Sequence, residues 1–341
     1  MSLSYERAVL EHVSQPLLSH LLFPHVEEIA INQPGEIWQR LRHPDERGRL
    51  WVPQDAPLLT REYLVNLAHL VANLKNIKNF GADKKPVVYG DLPGGHRFTS
   101  GYGHNIQYLP PDTAGYEGSV CVTCRQFIKG NPVELDQYGL RPGQAVRPPI
   151  SSIFTRENEN PNDDYAKVIN SLTRGDHLLI SGETSSGKTT FLNRLIEYLD
   201  ENKRIITIED TRELKVHQPN RVHIIMSRTD QSNDFTYPDV RDLIVRMTPD
   251  IVLAGEISNS NADTIWNLMT TGHGHFMTTI HARSVDEAIT TFINCMVIAR
   301  ASAGITSPVN IDDLRNLMRK TLRVIQITKD AFGQRRIVEI S

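Results

Sequence analysis

Gly182-Glu183-Thr184-Ser185-Ser186-Gly187-Lys188-Thr189 is an uninterrupted G-x-x-x-x-G-K-[ST] run, and its surroundings decide the fold. Before it, His177-Leu178-Leu179-Ile180 is a short apolar run suited to a buried strand. After it, Phe191, Leu192, Leu195, Ile196 and Leu199 recur at helical spacing on one face. Strand, loop and helix in that order form a phosphate cradle: successive backbone N–H groups surround the anion while the helix presents its positive end. The spacing makes Gly182, Glu183, Thr184, Ser185, Ser186, Gly187, Lys188, Thr189 and Thr190 the candidate nucleotide-binding set. Lys188 is expected to reach the β- and γ-phosphates of ATP, and the Thr189 hydroxyl to join a Mg²⁺ shell.

The rest of the chain fits this core. Alternation of helical stretches with short apolar strands from about residue 164 onward (Leu178–Ile180, Ile205–Ile208, Ile251–Ala254, Phe276–Ile280) implies a parallel sheet with crossover helices. Upstream, 1–130 reads as a separate mixed α/β domain. Val26-Glu27-Glu28-Ile29-Ala30-Ile31 alternates like a strand, and Gln33-Pro34-Gly35-Glu36 turns it into Ile37-Trp38-Gln39-Arg40-Leu41 as a hairpin. A helix is expected over 60–79 from a capping Thr60, followed by a polar glycine-rich stretch from Gly90 to Gly103 and strands at 106–109 and 120–125. Residues 131–163, rich in Pro, Gly, Asn and charge, read as a linker, and 164–341 as the nucleotide domain.

With 341 residues, two domains are the default expectation. Apolar content of 39% and charged content of 23% describe an ordinary globular composition. A formal net charge of −3 gives no electrostatic footprint for nucleic acid or an anionic membrane surface. No apolar run approaches the roughly 18 residues that cross a bilayer, and the first residues lack a secretory signal pattern, so a cytoplasmic location is expected. Cys121 and Cys124 form a C-x-x-C, but in a strand-like run residues three apart face opposite sides, and no second pair stands at zinc-finger spacing. A structural role is expected for both.

Hydrolysis needs groups that orient water and neutralise charge as well as a loop that holds phosphate. Three apolar strands end in suitable residues: Ile205–Ile208 in Glu209-Asp210, Ile251–Ala254 in Gly255-Glu256, and Thr278–Ile280 in His281. Ligands of open parallel sheets bind beyond the carboxyl ends of the strands, so all three converge on the crevice of the phosphate loop. Each has a plainer reading as well: Glu209-Asp210 as a cap of the next element, His281 as a structural histidine within a His-rich stretch that includes His273 and His275.

Taken in order, Gly-x-x-x-x-Gly-Lys-Thr-Thr, Ile-Thr-Ile-Glu-Asp-Thr-Arg-Glu-Leu, Arg-Met-x-Pro-Asp-x-x-x-x-Gly-Glu, and Thr-Gly-His-Gly followed by Thr-x-His-Ala resemble the phosphate loop, Asp box, Walker B segment and His box of the bacterial secretion ATPase superfamily. The N-terminal half is similar to the type IV secretion branch, the traffic ATPases, at Glu28–Glu36, Gly95-His96-Arg97, Pro110-Pro111 and Thr123-Cys124-Arg125. The resemblance implies an α/β protein in which a mixed α/β N-terminal domain precedes a RecA-like P-loop domain with a mainly parallel sheet. It further implies a homohexameric, Mg²⁺-dependent ATPase at the cytoplasmic face of the inner membrane, with inner-membrane secretion components as partners, at most peripheral membrane association and no direct nucleic-acid site. A type IV pilus or type II secretion motor is the alternative; a nucleic-acid translocase and a nucleotide-gated scaffold are the more distant ones. Carried over by position, Glu256, Glu209 and His281 are the catalytic candidates, with Arg97 and Arg125 as arginines reaching the phosphates from the N-terminal domain. The residues depart from the pattern at Ser185, where Gly is usual, at His96, where Glu is usual, and at Thr248, Ile251 and Ser258, near which arginines are usual.

Overall fold

A computed structural model describes residues 3–82, 84–110, 113, 119–127, 143, 160, 162–226, 235–272, 274–330 and 332–341. His273, Pro111 and nearly all of the expected linker, 131–163, lie outside the described residues. Helices α1 (Leu3–Val13) and α2 (Gln15–Leu21) lead into strands β1 (Val26–Ile31), β2 (Gly35–Leu41) and β3 (Trp51–Ala56), helix α3 (Arg61–Leu74), and strands β4 (Val87–Leu92), β5 (His96–Tyr102), β6 (Ile106–Gln107) and β7 (Val120–Arg125). Then follow α4 (Asp164–Arg174), β8 (His177–Gly182), α5 (Lys188–Ile196), β9 (Ile205–Glu209), β10 (Arg221–Ile225), α6 (Tyr237–Met247), β11 (Ile251–Ala254), α7 (Ala262–Thr270), β12 (His275–Ile280), α8 (Val285–Ser302), α9 (Ile311–Thr321), β13 (Leu322–Lys329) and β14 (Arg335–Ile340).

Strands β3-β2-β1-β7-β5-β4 form a six-stranded antiparallel sheet. The β1–β2 hairpin turns at Gly35, whose φ of 82° is the left-handed backbone that a Cβ disfavours. Helix α3 starts at Thr60, whose side chain accepts from the Tyr63 amide. It stops at Leu74, short of 79, because Asn76 turns left-handed at φ 55°. The glycine-rich stretch is a β4–β5 hairpin turned by Gly94 and Gly95, a result that the glycines hid by weakening the strand pattern. Cys121 and Cys124 are buried free thiols, one packed in each of two different apolar clusters. Burial pushes the Cys121 thiol up to about 11, and that of Cys124 higher still, so both stay protonated apolar fillers.

The second sheet runs β14-β13-β8-β12-β11-β9-β10-β6, parallel from β13 through β10, with antiparallel strands at each edge. Both faces are buried. Leu178 and Ile180 pack with α4 and α5, whereas Leu179 joins the opposite cluster with α6, α7 and α8. One edge strand, β6, comes from the N-terminal half and pairs Ile106 with Ile224 of β10, so the two sheets do not divide at a single cut in the chain.

The N-terminal sheet meets the second sheet where the parallel strands begin. Arg204, fully buried just before β9, donates from Nε to the Met247 carbonyl (2.8 Å) and from Nη1 to the side-chain carbonyls of Asn32 (2.9 Å) and Asn220 (2.6 Å). Its guanidinium lies over the Trp51 ring at 5.2 Å. Burial lowers the Arg204 pKa to about 10, which still leaves it charged at neutral pH. Beside it, Glu28, fully buried, accepts from Arg125 Nε (2.7 Å) and from the Thr248 hydroxyl (2.8 Å). Thr248 ends α6 in a left-handed conformation, φ 49°, unusual for a β-branched residue.

Candidate nucleotide site

At the carboxyl ends of the parallel strands lies a cavity of about 590 Å³, within the size range of ligand sites. Thr184, Ser185, Gly187, Lys188, Thr189 and Thr190 of the loop line it, with Glu209, Gly255, Glu256 and His281 from the three strand ends. Gly187, the N-cap of α5, has φ 94°, and Ser185 has φ 64°. The loop therefore uses left-handed backbone at the position where Gly is usual, and Ser185 accepts that strain, on the order of 1 kcal/mol.

Lys188 is only 7% exposed and directs its three N–H bonds at the carbonyls of Gly182 (3.0 Å) and Glu183 (3.1 Å) and at His281 Nδ1 (3.1 Å). Burial lowers its pKa, and the charge of Glu256 partly restores it. Because an ammonium only donates, Nδ1 of His281 accepts, and the ring proton sits on Nε2. From there it faces Glu256 Oε1 at 2.9 Å. Lys188 thus donates to His281, whose Nε2 stands in contact with the Glu256 carboxylate. The Glu256 side chain remains 38% exposed, open to solvent and to a substrate.

Glu209 is built differently. Only 3% exposed, it takes the Thr207 hydroxyl (2.7 Å) and His223 Nδ1 (3.2 Å) on one oxygen, and the amides of Glu213 (2.7 Å) and Leu214 (2.8 Å) on the other. Burial alone would raise its pKa, but the hydrogen bonds from His223, Leu214 and Thr207 more than offset this and hold the carboxyl below the ordinary range. One oxygen holds the 210–214 turn and the other is tied to Thr207 and His223, so both are committed. His223 is itself kept neutral by burial.

Sequence reasoning missed three lining residues. Asn261 donates to the Glu256 carbonyl (2.8 Å) and accepts from the Ser258 amide (2.8 Å), which fixes the turn that carries Glu256. Thr279 holds the Gly255 carbonyl (2.8 Å) from the neighbouring strand. Arg335 enters from β14 at the far end of the sequence, and no motif marked it. Arg97 and Arg125 are not in this cavity. They are register partners on β5 and β7 and line a separate small cleft with Thr99, Thr123, Val245 and Arg246, at the strand-beginning end of the sheet.

The group a nucleotide phosphate would bring, Mg²⁺, suits the donors here. Among the described residues no cluster of three His, Cys, Asp or Glu forms an all-protein cage. The Thr189 hydroxyl beside the loop, with substrate oxygens and water, is the kind of sparse oxygen set that a hard, hydrated cation accepts.

A phosphate loop opening a helix on a parallel sheet, with carboxylate and histidine on adjacent strand ends, defines a RecA-like nucleoside-triphosphatase. Residues 154–325 match the family described as type II/IV secretion system protein. The type IV secretion system protein VirB11 of Bartonella quintana is 30% identical over 97% of this chain and 91% of its own length. PtlH of Bordetella pertussis is 26% identical over 92% of this chain and 89% of its own. The crystal structure of the VirB11 ATPase of Brucella suis shares the fold, with a TM-score of 0.81 at 23% identity across 99% of this chain and 96% of that one. The chain belongs to the type II/IV secretion family and, within it, to the VirB11-like ATPase motors of type IV secretion. Among the described residues no helix is long and apolar enough to cross a membrane.

Proposed function

We propose that the chain hydrolyses ATP with Mg²⁺ in the cavity at the phosphate loop, as a subunit of a hexameric ring at the cytoplasmic face of the inner membrane that drives type IV export through inner-membrane partners. The observation that carries this is the Lys188–His281–Glu256 chain beside the loop. In this reading Gly182 through Thr190 bind the phosphates, Lys188 neutralises the β- and γ-oxygens, and the Thr189 hydroxyl holds Mg²⁺, which supplies charge neutralisation of the phosphates. Glu256, exposed and acceptor-only, orients the attacking water. His281 holds Glu256 in place through Nε2. An arriving triphosphate competes for the donors of Lys188, so His281 exchanges partners as the nucleotide binds. Glu209 keeps the wall of the cavity in shape, a positioning role, because its oxygens are already occupied.

Arg97 and Arg125 require a different geometry from closure over their own nucleotide. The buried Arg204–Asn32 and Thr248–Glu28 contacts hold their domain against the opposite end of the sheet. We propose that in this conformation they serve the nucleotide of a neighbouring ring subunit. Lys188→Ala tests the site itself: phosphate release should vanish with the fold intact, and turnover near wild type would overturn it. Mixing Lys188→Ala with Arg125→Ala chains tests the second point, since partial recovery of activity in the mixture is expected only when the arginine acts across subunits.

A further inference from the structure

The β13–β14 hairpin follows the nucleotide fold's last crossover and carries no recognised motif, yet Arg335 at the start of β14 lines the nucleotide cavity. Its side chain lies directly on the last glycine of the phosphate loop. A Cβ built on Gly187 would come within 2.8 Å of Arg335 Cδ and 3.0 Å of its Nε. The neighbouring charges on the hairpin are otherwise engaged: Asp330 accepts from the amides of Phe332 and Gln334 and sits 3.9 Å from Arg336. Among the described residues the Arg335 side chain has no hydrogen bond or ion pair, although its backbone pairs with Lys329 of β13. A guanidinium held against a cavity wall without an anion partner is poised for one supplied by a ligand.

The sheet order says which part of the ligand it meets. In β14-β13-β8-β12-β11, the loop follows β8, while His281 follows β12 and Glu256 follows β11. The water-orienting groups therefore flank the loop on one side and Arg335 flanks it on the other. A polyphosphate with its γ-phosphoryl toward Glu256 extends its α- and β-phosphates toward Arg335.

We propose that Arg335 is a phosphate-binding residue of the cavity, contacting the α- and β-phosphates that ATP and ADP share. This rests on the cavity being the nucleotide site. An interaction made equally in ground and transition states changes binding without changing the chemical step. Arg335→Gln should therefore weaken ADP affinity and raise the KM for ATP by about ten- to a hundredfold, the range for losing a hydrogen bond to a charged group. The kcat should stay within about twofold of wild type. Arg335→Lys, which keeps the charge but not the fork, should recover part of the loss.

The experiment is ADP titration by calorimetry together with steady-state ATP turnover, on the full chain as wild type, Arg335→Gln and Arg335→Lys, with thermal melting to verify that the exposed edge strand is intact. Weakened ADP binding with retained kcat and partial rescue by lysine is the expected result. Unchanged ADP affinity in Arg335→Gln overturns the proposal while leaving the site standing. A fall in kcat with ADP affinity intact also overturns it, because the arginine would then act on the γ-phosphoryl. If the wild type binds no ADP, the site reading fails and the proposal fails with it.

Discussion

Strand β12 carries a histidine at each end, and the two live in different worlds. His275 opens the strand beside β11, with its Nε2 buried and unpartnered. Burial, chiefly, pushes it down to about 4, so it is neutral at physiological pH. His281, just past the other end, is half-exposed and stands between Lys188 and Glu256. The same contrast extends across the whole sheet. At the strand beginnings, Arg204, Asn32 and Asn220 form a buried network, Thr248 donates to buried Glu28 beside it, and these contacts join the two sheets. At the strand ends, charged groups face an open cavity with capacity left for a ligand. Polar residues at one end hold the molecule together, and at the other we propose that they do chemistry. The difference lies in whether they are sealed away from solvent or open to a ligand.

The largest stability effect should come from breaking the closed end. Arg204→Met strands the Asn32 side-chain oxygen and removes a donor from the Met247 carbonyl and from Asn220, which keeps only Asn32, and it leaves Glu28 with less compensating charge. A loss of about 3 to 5 kcal/mol is expected by urea unfolding. Turnover per folded molecule should be far less affected. A variant as stable as wild type would mean that the network is not the joint.

His275 gives a pH signature of the same end. Its folded pKa lies below the unfolded value near 6.5, so the unfolded chain binds more protons between pH 6.5 and 4. The stability it contributes is complete above about 6.5 and is lost as pH falls toward 4, by about 2 to 3 kcal/mol. His275→Asn should flatten the stability slope between pH 7 and 5, whereas His281→Asn should act on turnover. Equal slopes in wild type and His275→Asn would contradict the buried, neutral state of this ring.

The smallest effect belongs to the loop. Ser185→Gly removes a left-handed serine and should raise stability by about 1 kcal/mol or less, since relieved strain is partly offset by added unfolded-state freedom. Thermal melting reads it directly, and a drop in the melting temperature would mean that the serine side chain contributes something the backbone angle does not reveal.

The open end was far more legible in the sequence than the closed one. Gly187-Lys188-Thr189, Glu209, Glu256 and His281 announce themselves because each follows an apolar run, and strand ends of a parallel sheet converge by topology alone. Local spacing offered Glu209 as a cap of the 210–214 turn but could not decide it against Glu256, because the partner that takes up its other oxygen, His223, comes from the next strand. The Arg204 network was invisible for a related reason. A lone arginine before a strand reads as surface, and its partner Asn32 stands 172 residues away. The edge strand β14 was missed because it is largely exposed and has no strong apolar pattern, whereas β6 fell within the strand expected at 106–109 but gave no sign that it pairs with β10. With β14 went Arg335.

We propose that Glu256, with its free carboxylate oxygen, performs the chemistry at the open end while the fold is held elsewhere. Single-turnover phosphate release by Glu256→Gln, with protein in excess over ATP, tests it most directly. The account predicts ATP bound as tightly as by wild type, with release slowed by about 10²- to 10⁴-fold. Release at the wild-type rate from bound ATP would contradict it and return the catalytic role to Glu209.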